Sequence, residues 1–102
     1  MKLLTKEILK KVPALYAMDG KKPEDVPVIA KFFTPWADWT WFMTEYDPES
    51  GNAFGYVKGN YPEMGYFNIP ELIAIRGPAG LGIERDINFK GTLADVMENA
   101  YA

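Results

Sequence analysis

Asp38, Glu45 and Asp47 bracket a segment that also carries Trp39 and Trp41. Read as a strand, it places Glu45 and Asp47 on one face, about 7 Å apart. Paired carboxylates at that spacing can hold a divalent cation or share acid–base work. With Glu84 they would make a small carboxylate site for such a cation. The structural alternative is plain. Asp47 opens Asp47-Pro-Glu-Ser-Gly-Asn52, a run with strong turn chemistry, and aspartate at such a position bonds its own backbone.

The only two arginines, Arg76 and Arg85, flank the run Gly77-Pro-Ala-Gly-Leu-Gly82. Guanidinium groups and loop amides together could form an anion site. An ion pair is the competing reading, with Arg85 reaching Glu45 or Glu71 from the opposite strand face to its neighbours Glu84 and Asp86. The glycine run is not a Walker loop, because no Gly-Lys-Ser/Thr follows. It is not a dinucleotide fingerprint either, because the segment after it reads as a strand.

Twelve of the fifteen aromatic residues lie between Phe32 and Phe67. A row of exposed rings would suit stacking on bases or sugars, but small sheets fill their cores with the same residues. Trp39 and Trp41 are assigned to the core. Trp36 follows Pro35 in a turn, where a ring has less to cover it, and is assigned a contact role.

The chain has no histidine and no cysteine. That removes disulfides, thiolate nucleophiles, histidine-based triads and the usual zinc sites. Residues 1–22 hold six basic and two acidic side chains, whereas the remainder holds five basic and twelve acidic, for a net charge of −3. An acidic body disfavours general nucleic-acid binding. The basic leading segment reads as a solvated lysine face or as a dock for an acidic partner. No apolar run approaches the ~20 residues that span a bilayer. The opening residues lack a signal-peptide core, so a cytoplasmic protein is the expectation.

The elements that must position these side chains follow from local pattern. Thr5 caps a helix to about Val12, with Glu7 in its first turn and Lys10 and Lys11 in its last. Leu4, Ile8, Val12 and Leu15 form its buried stripe, and Pro13 ends it. Val28 to Thr34 reads as a strand and Pro35 to Asp38 as a turn. In the strand Asp38 to Tyr46, alternation sets Trp39, Trp41, Met43 and then Glu45 against Thr40, Phe42, Thr44 and Tyr46. Strands over 53–58 and 64–68 complete an antiparallel meander. Asn68 caps a helix to about Ile75 through capping-box spacing to Glu71. Ile83 to Phe89 alternates as a fifth strand. Thr92, with Asp95 three residues on, caps a final helix to about Asn99. No repeat, linker or second domain is visible over residues 1–102.

Several of these runs resemble one family. Lys31-Phe-Phe-Thr-Pro-Trp-Ala-Asp-Trp-Thr-Trp, Thr44-Glu-Tyr-Asp-Pro48, Gly65-Tyr-Phe with Pro70-Glu-Leu, Arg76-Gly-Pro, Leu81-Gly-Ile-Glu-Arg-Asp86 and the opening Leu-Leu-Thr-Lys-Glu are similar to the bacterial domain of unknown function 2958. The resemblance covers most of the chain. It implies small proteins of plasmids, integrative elements and phages, with no activity and no catalytic residues to carry over. A role in DNA maintenance, transfer or evasion of host defence is an association of that setting.

The reading is therefore one α+β domain, a twisted antiparallel sheet of about five strands covered on one face by short helices. The expected function is a non-enzymatic protein-interaction module of mobile DNA, without a cofactor. Its contact residues would be Trp36, Asp38, Arg76 and Arg85. A carboxylate-based, divalent-cation-dependent enzyme or ligand binder using Glu45, Asp47 and Glu84 is the first alternative. A single-strand nucleic-acid binder using exposed aromatics is the second.

Overall fold

The computed structural model describes residues 2–99. Helix α1 spans Lys6–Lys11, and the Thr5 hydroxyl accepts the Ile8 N–H at 3.2 Å. Strands β1 (Ala30–Phe33), β2 (Thr40–Tyr46), β3 (Asn52–Lys58) and β4 (Pro62–Asn68) form the meander. Helix α2 (Ile69–Ala74) is capped by the Asn68 side chain, which accepts the Glu71 N–H at 3.0 Å. Strand β5 is Glu84–Arg85 and helix α3 is Leu93–Asn99. At the start of α3, Thr92 N–H donates to Asp95 Oδ2 (2.8 Å) and Asp95 N–H donates to Thr92 Oγ1 (3.3 Å), the reciprocal pair that the spacing predicts.

All strand pairings are antiparallel, in the order β4-β3-β2-β1-β5. The protein is thus an α+β fold built on a five-stranded antiparallel sheet. The main core fills the face carrying Phe32, Trp41 and Met43, under Ile8 of α1 and Ile69 and Leu72 of α2. Removing a side chain such as Phe32 or Met43 from water contributes about 1.5–3 kcal/mol. The opposite face is covered as well. Phe42 and Tyr56 meet Val26, Val28 and, from α3, Leu93 and Val96 in a second, smaller core.

Simple alternation fails within β2. Met43 pairs with Gly55 but Glu45 pairs with Phe54, so Thr44 is the additional residue of a β-bulge. One extra residue exchanges the faces of everything after it. Tyr46 consequently joins the main core with Trp41 and Met43, and Glu45 moves to the Phe42 side.

The expected fifth strand over 83–89 is corrected to two residues. Asp86 accepts the Asn88 N–H at 3.0 Å through its side chain and the Phe89 N–H through its carbonyl. This turn leads the chain away from β1. Ile87, inside the expected strand, lies beyond its observed end and is exposed.

Candidate functional site

The turn joining β1 to β2 is closed by the buried Thr34. Its N–H donates to the Trp39 carbonyl (3.0 Å), and its hydroxyl accepts the Trp39 N–H (3.1 Å). These bonds fix the backbone of Trp39 at the mouth of the sheet. The indole stacks on buried Trp41, with centroids 5.9 Å apart and planes 27° apart. It also lies against Gly59 from the β3–β4 turn, where a Cβ would come within 2.3 Å of ring atoms. Trp39 remains 41% exposed. Its assignment to the core is therefore corrected: the ring is supported from beneath and presented to solvent.

Trp39 forms part of an open groove of about 760 Å³, together with Asp38, Thr40, Lys58, Arg85 and Ile87. Lys31 and Asp86 also line it and pair with each other at 3.5 Å. The Lys31 ammonium lies over the rings of Phe42 and Phe89, at 5.8 and 5.6 Å. The side chains of Asp38 and Lys58 have no hydrogen-bond or ion-pair partner among the described residues. A second groove, about 980 Å³, runs past Lys6 and Lys11 of α1 and shares Arg85, Asp86 and Ile87 with the first.

Asp38 and Arg85 thus meet at this site, as two of the four expected contact residues. Trp36 and Arg76 lie elsewhere. Trp36 is half-buried against the main core, and its ring covers Gly77, where a Cβ would approach within 2.3 Å. Arg76 folds back on its own helix end, donating to the carbonyls of Ile73 (2.7 Å) and Ile75 (2.8 Å). Those carbonyls would otherwise lack helical partners. Arg85 donates to the carbonyls of Lys2 (2.6 Å) and Leu3 (3.4 Å). The joint anion site of Arg76, Arg85 and loop amides is therefore not assembled.

The carboxylate set is dispersed too. Glu45 is only 3% exposed, and it accepts the N–H groups of Tyr16 (2.8 Å) and Met18 (2.9 Å) rather than pairing with Arg85. Asp47 accepts Ser50 Oγ–H at 2.7 Å and Glu49 N–H at 3.1 Å. Glu84 stands on β5, opposite Phe33 and in the row of Thr40, at the far end of the sheet from Glu45. Among the described residues no group of three or more acids is placed to hold a metal ion.

The Ser50 hydroxyl, followed by the Glu49 amide, holds the Asp47 carboxyl below its ordinary range. A depressed folded-state value means that this turn stabilises the fold above the ordinary carboxylate range. The contribution fades as pH falls through the lowered value. Ser50→Ala should shift the Asp47 titration, followed by carboxyl NMR, back upward. An unmoved titration would show that the hydroxyl is not its main partner.

A family profile described as "Protein of unknown function (DUF2958)" matches residues 3–100. The chain belongs to DUF2958. No curated protein and no solved structure matches it. Among the described residues, no helix is long and apolar enough to cross a membrane. For this DUF2958 chain, the features that residue patterns did not reveal are the exposure of Trp39 and the roles of Lys58 and Ile87. The available signal was Gly59 in the meander's third turn, since a glycine there leaves room for a ring from a neighbouring strand.

Proposed function

We propose that this DUF2958 chain is a non-enzymatic protein-interaction module whose contact site is the Trp39 groove. The observation that carries the reading is the presentation of Trp39 itself. Its ring rests on Trp41 and Gly59 and its backbone is fixed by Thr34, so little conformational freedom is lost when a partner covers it. Rigid aromatic anchors of this type, ringed by polar groups, dominate protein interfaces. Unpaired Asp38 and Lys58 supply charges of both signs at the rim, and Ile87 adds an apolar contact. The wider setting, mobile DNA maintenance or transfer or evasion of host defence, is part of the proposal and is supported by the resemblance of the sequence motifs.

The test is affinity capture from host lysate, followed by measurement of binding to whatever co-purifies. Trp39→Ala is expected to raise the dissociation constant about 30-fold or more, the scale of an interface anchor. Tyr61→Ala, in the turn before β4, serves as the control and should leave binding intact. Equal affinity for wild type and a folded Trp39→Ala protein would refute the assignment.

Single-strand nucleic-acid binding is the second reading, favoured by Lys31, Lys58 and Arg85 around an exposed indole. It ranks lower because Lys31 is paired with Asp86, Arg85 is engaged by carbonyls and the chain is net acidic. Salt-sensitive quenching of tryptophan fluorescence by oligonucleotides would reverse that order.

A further inference from the structure

The opposite edge of the sheet carries a separate surface. Strand β4 is seven residues long and pairs on one side with β3; no strand among the described residues pairs with its other side. The bond from Ile69 N–H to the Gly51 carbonyl (2.9 Å) sets the alternation of this ladder. Residues 63, 65 and 67 therefore turn their N–H and C=O groups toward β3, whereas 64, 66 and 68 turn theirs outward. Pro62 shares the outward phase, so its missing N–H leaves the β3 ladder intact.

Long exposed edges are templates for strand addition, and natural proteins blunt them with charge, proline or bulges. Here the blunting is slight. Glu63 is the only charged residue of β4, and Pro62 stands at its start. Met64 (37% exposed) and Tyr66 (59% exposed) bring apolar surface to the outward-bonding positions. Tyr66 is held in place by its ring contact with Phe54 (4.8 Å).

We propose that β4 pairs antiparallel with β4 of a second copy, about a two-fold axis through Gly65, joining the two sheets into one. The strand is complementary to itself in that register. Met64 falls opposite Tyr66 of the second copy, and the reverse, so the outward backbone groups of both satisfy each other. Glu63 falls opposite Phe67 of the second copy, so no like charges face. Gly65 meets Gly65 at the axis, and in each chain that position has open space around a would-be Cβ. A heterologous strand would satisfy the same backbone groups but has no claim on this side-chain match. The contact is one strand wide and falls short of the ~1,600 Å² of a standard stable interface, so the dimer is weak and concentration-dependent.

The experiment is residue-resolved amide hydrogen exchange on the wild-type chain from micromolar to millimolar concentration, alongside sedimentation. Exchange at Met64 and Tyr66 should slow as dimer forms, while Glu63, Gly65 and Phe67 stay protected throughout. Met64→Lys should raise the dimer dissociation constant on the order of tenfold, and Ile87→Lys, remote from this edge, should leave it unchanged. A chain that stays monomeric at millimolar concentration overturns the proposal. So does a dimer whose Met64 and Tyr66 amides remain unprotected, or an edge that is occupied only by another protein's strand. The Trp39 groove contains no residue of β4, so loss of either surface leaves the other testable.

Discussion

Gly55→Ala is expected to be the most damaging small substitution in the chain. Gly55 stands opposite Met43, beside the bulge. A Cβ there would lie 1.8 Å from the Phe42 carbonyl oxygen and 2.9 Å from its carbon. Both are backbone atoms, so no side-chain rotation relieves the clash. Overpacking that flexible side chains can absorb costs about 1–3 kcal/mol, so this change should cost about 3 kcal/mol or more. For a domain of this size, that lowers the melting temperature by more than about 10 °C. Gly65, directly across on β4, is the internal control, because a Cβ there meets nothing within 4 Å. Gly65→Ala should be neutral, or stabilising by up to about 1 kcal/mol through the unfolded chain. Thermal melts of the two variants decide the matter. Equal stability would mean that the contact between Phe42 and Gly55 is not as tight as described.

The second large effect is expected from Glu45→Ala. The carboxylate reaches into the 14–20 loop and accepts two main-chain N–H groups. One belongs to Tyr16, whose φ of +72° is an unfavourable conformation for a non-glycine residue. The carboxylate therefore compensates two donors and restrains a strained residue. Charge-assisted bonds of this type contribute about 1.5–3 kcal/mol each, less where water can replace them. Glu45→Ala should therefore cost about 2–4 kcal/mol. Glu45→Gln keeps one carbonyl acceptor and should lose about half of that. Amide exchange at Tyr16 and Met18 should accelerate in Glu45→Ala well before global unfolding. If those amides keep their protection, the loop is held by something other than this carboxylate.

Local chemistry was legible in the residues, and distant pairing was not. Thr5, Asn68 and Thr92 announce three helix starts because a cap and its target lie within one turn. The meander was visible because turn residues separate its strands. The bulge at Thr44 was hidden, since the glycine that accommodates it is eleven positions away, on the next strand. That bulge sent Glu45 to the wrong face in the alternating pattern and cost the proposed carboxylate pair its geometry. The fifth strand was overextended because Asp86 can continue a strand or turn the chain, and its side-chain bond to Asn88 decides. Trp39 and Trp36 exchanged expected roles for a related reason. Each ring lies against a glycine, Gly59 or Gly77, and neither glycine is a near neighbour in sequence. The arginines bond backbone carbonyls, which every residue possesses and no pattern marks.

The bond from Arg85 to the carbonyls of Lys2 and Leu3 spans more than eighty residues. On the ribosome, Leu3 is made long before the side chain that secures it. At about 5–20 residues per second, the leading segment waits roughly 4–16 s for Arg85 to be synthesised. During that interval α1 has no guanidinium tether, and the hydrophobic side chain of Leu3 awaits its full burial. Nascent chains of this protein therefore pass through a stage in which the leading segment is complete but its latch to β5 is not yet made.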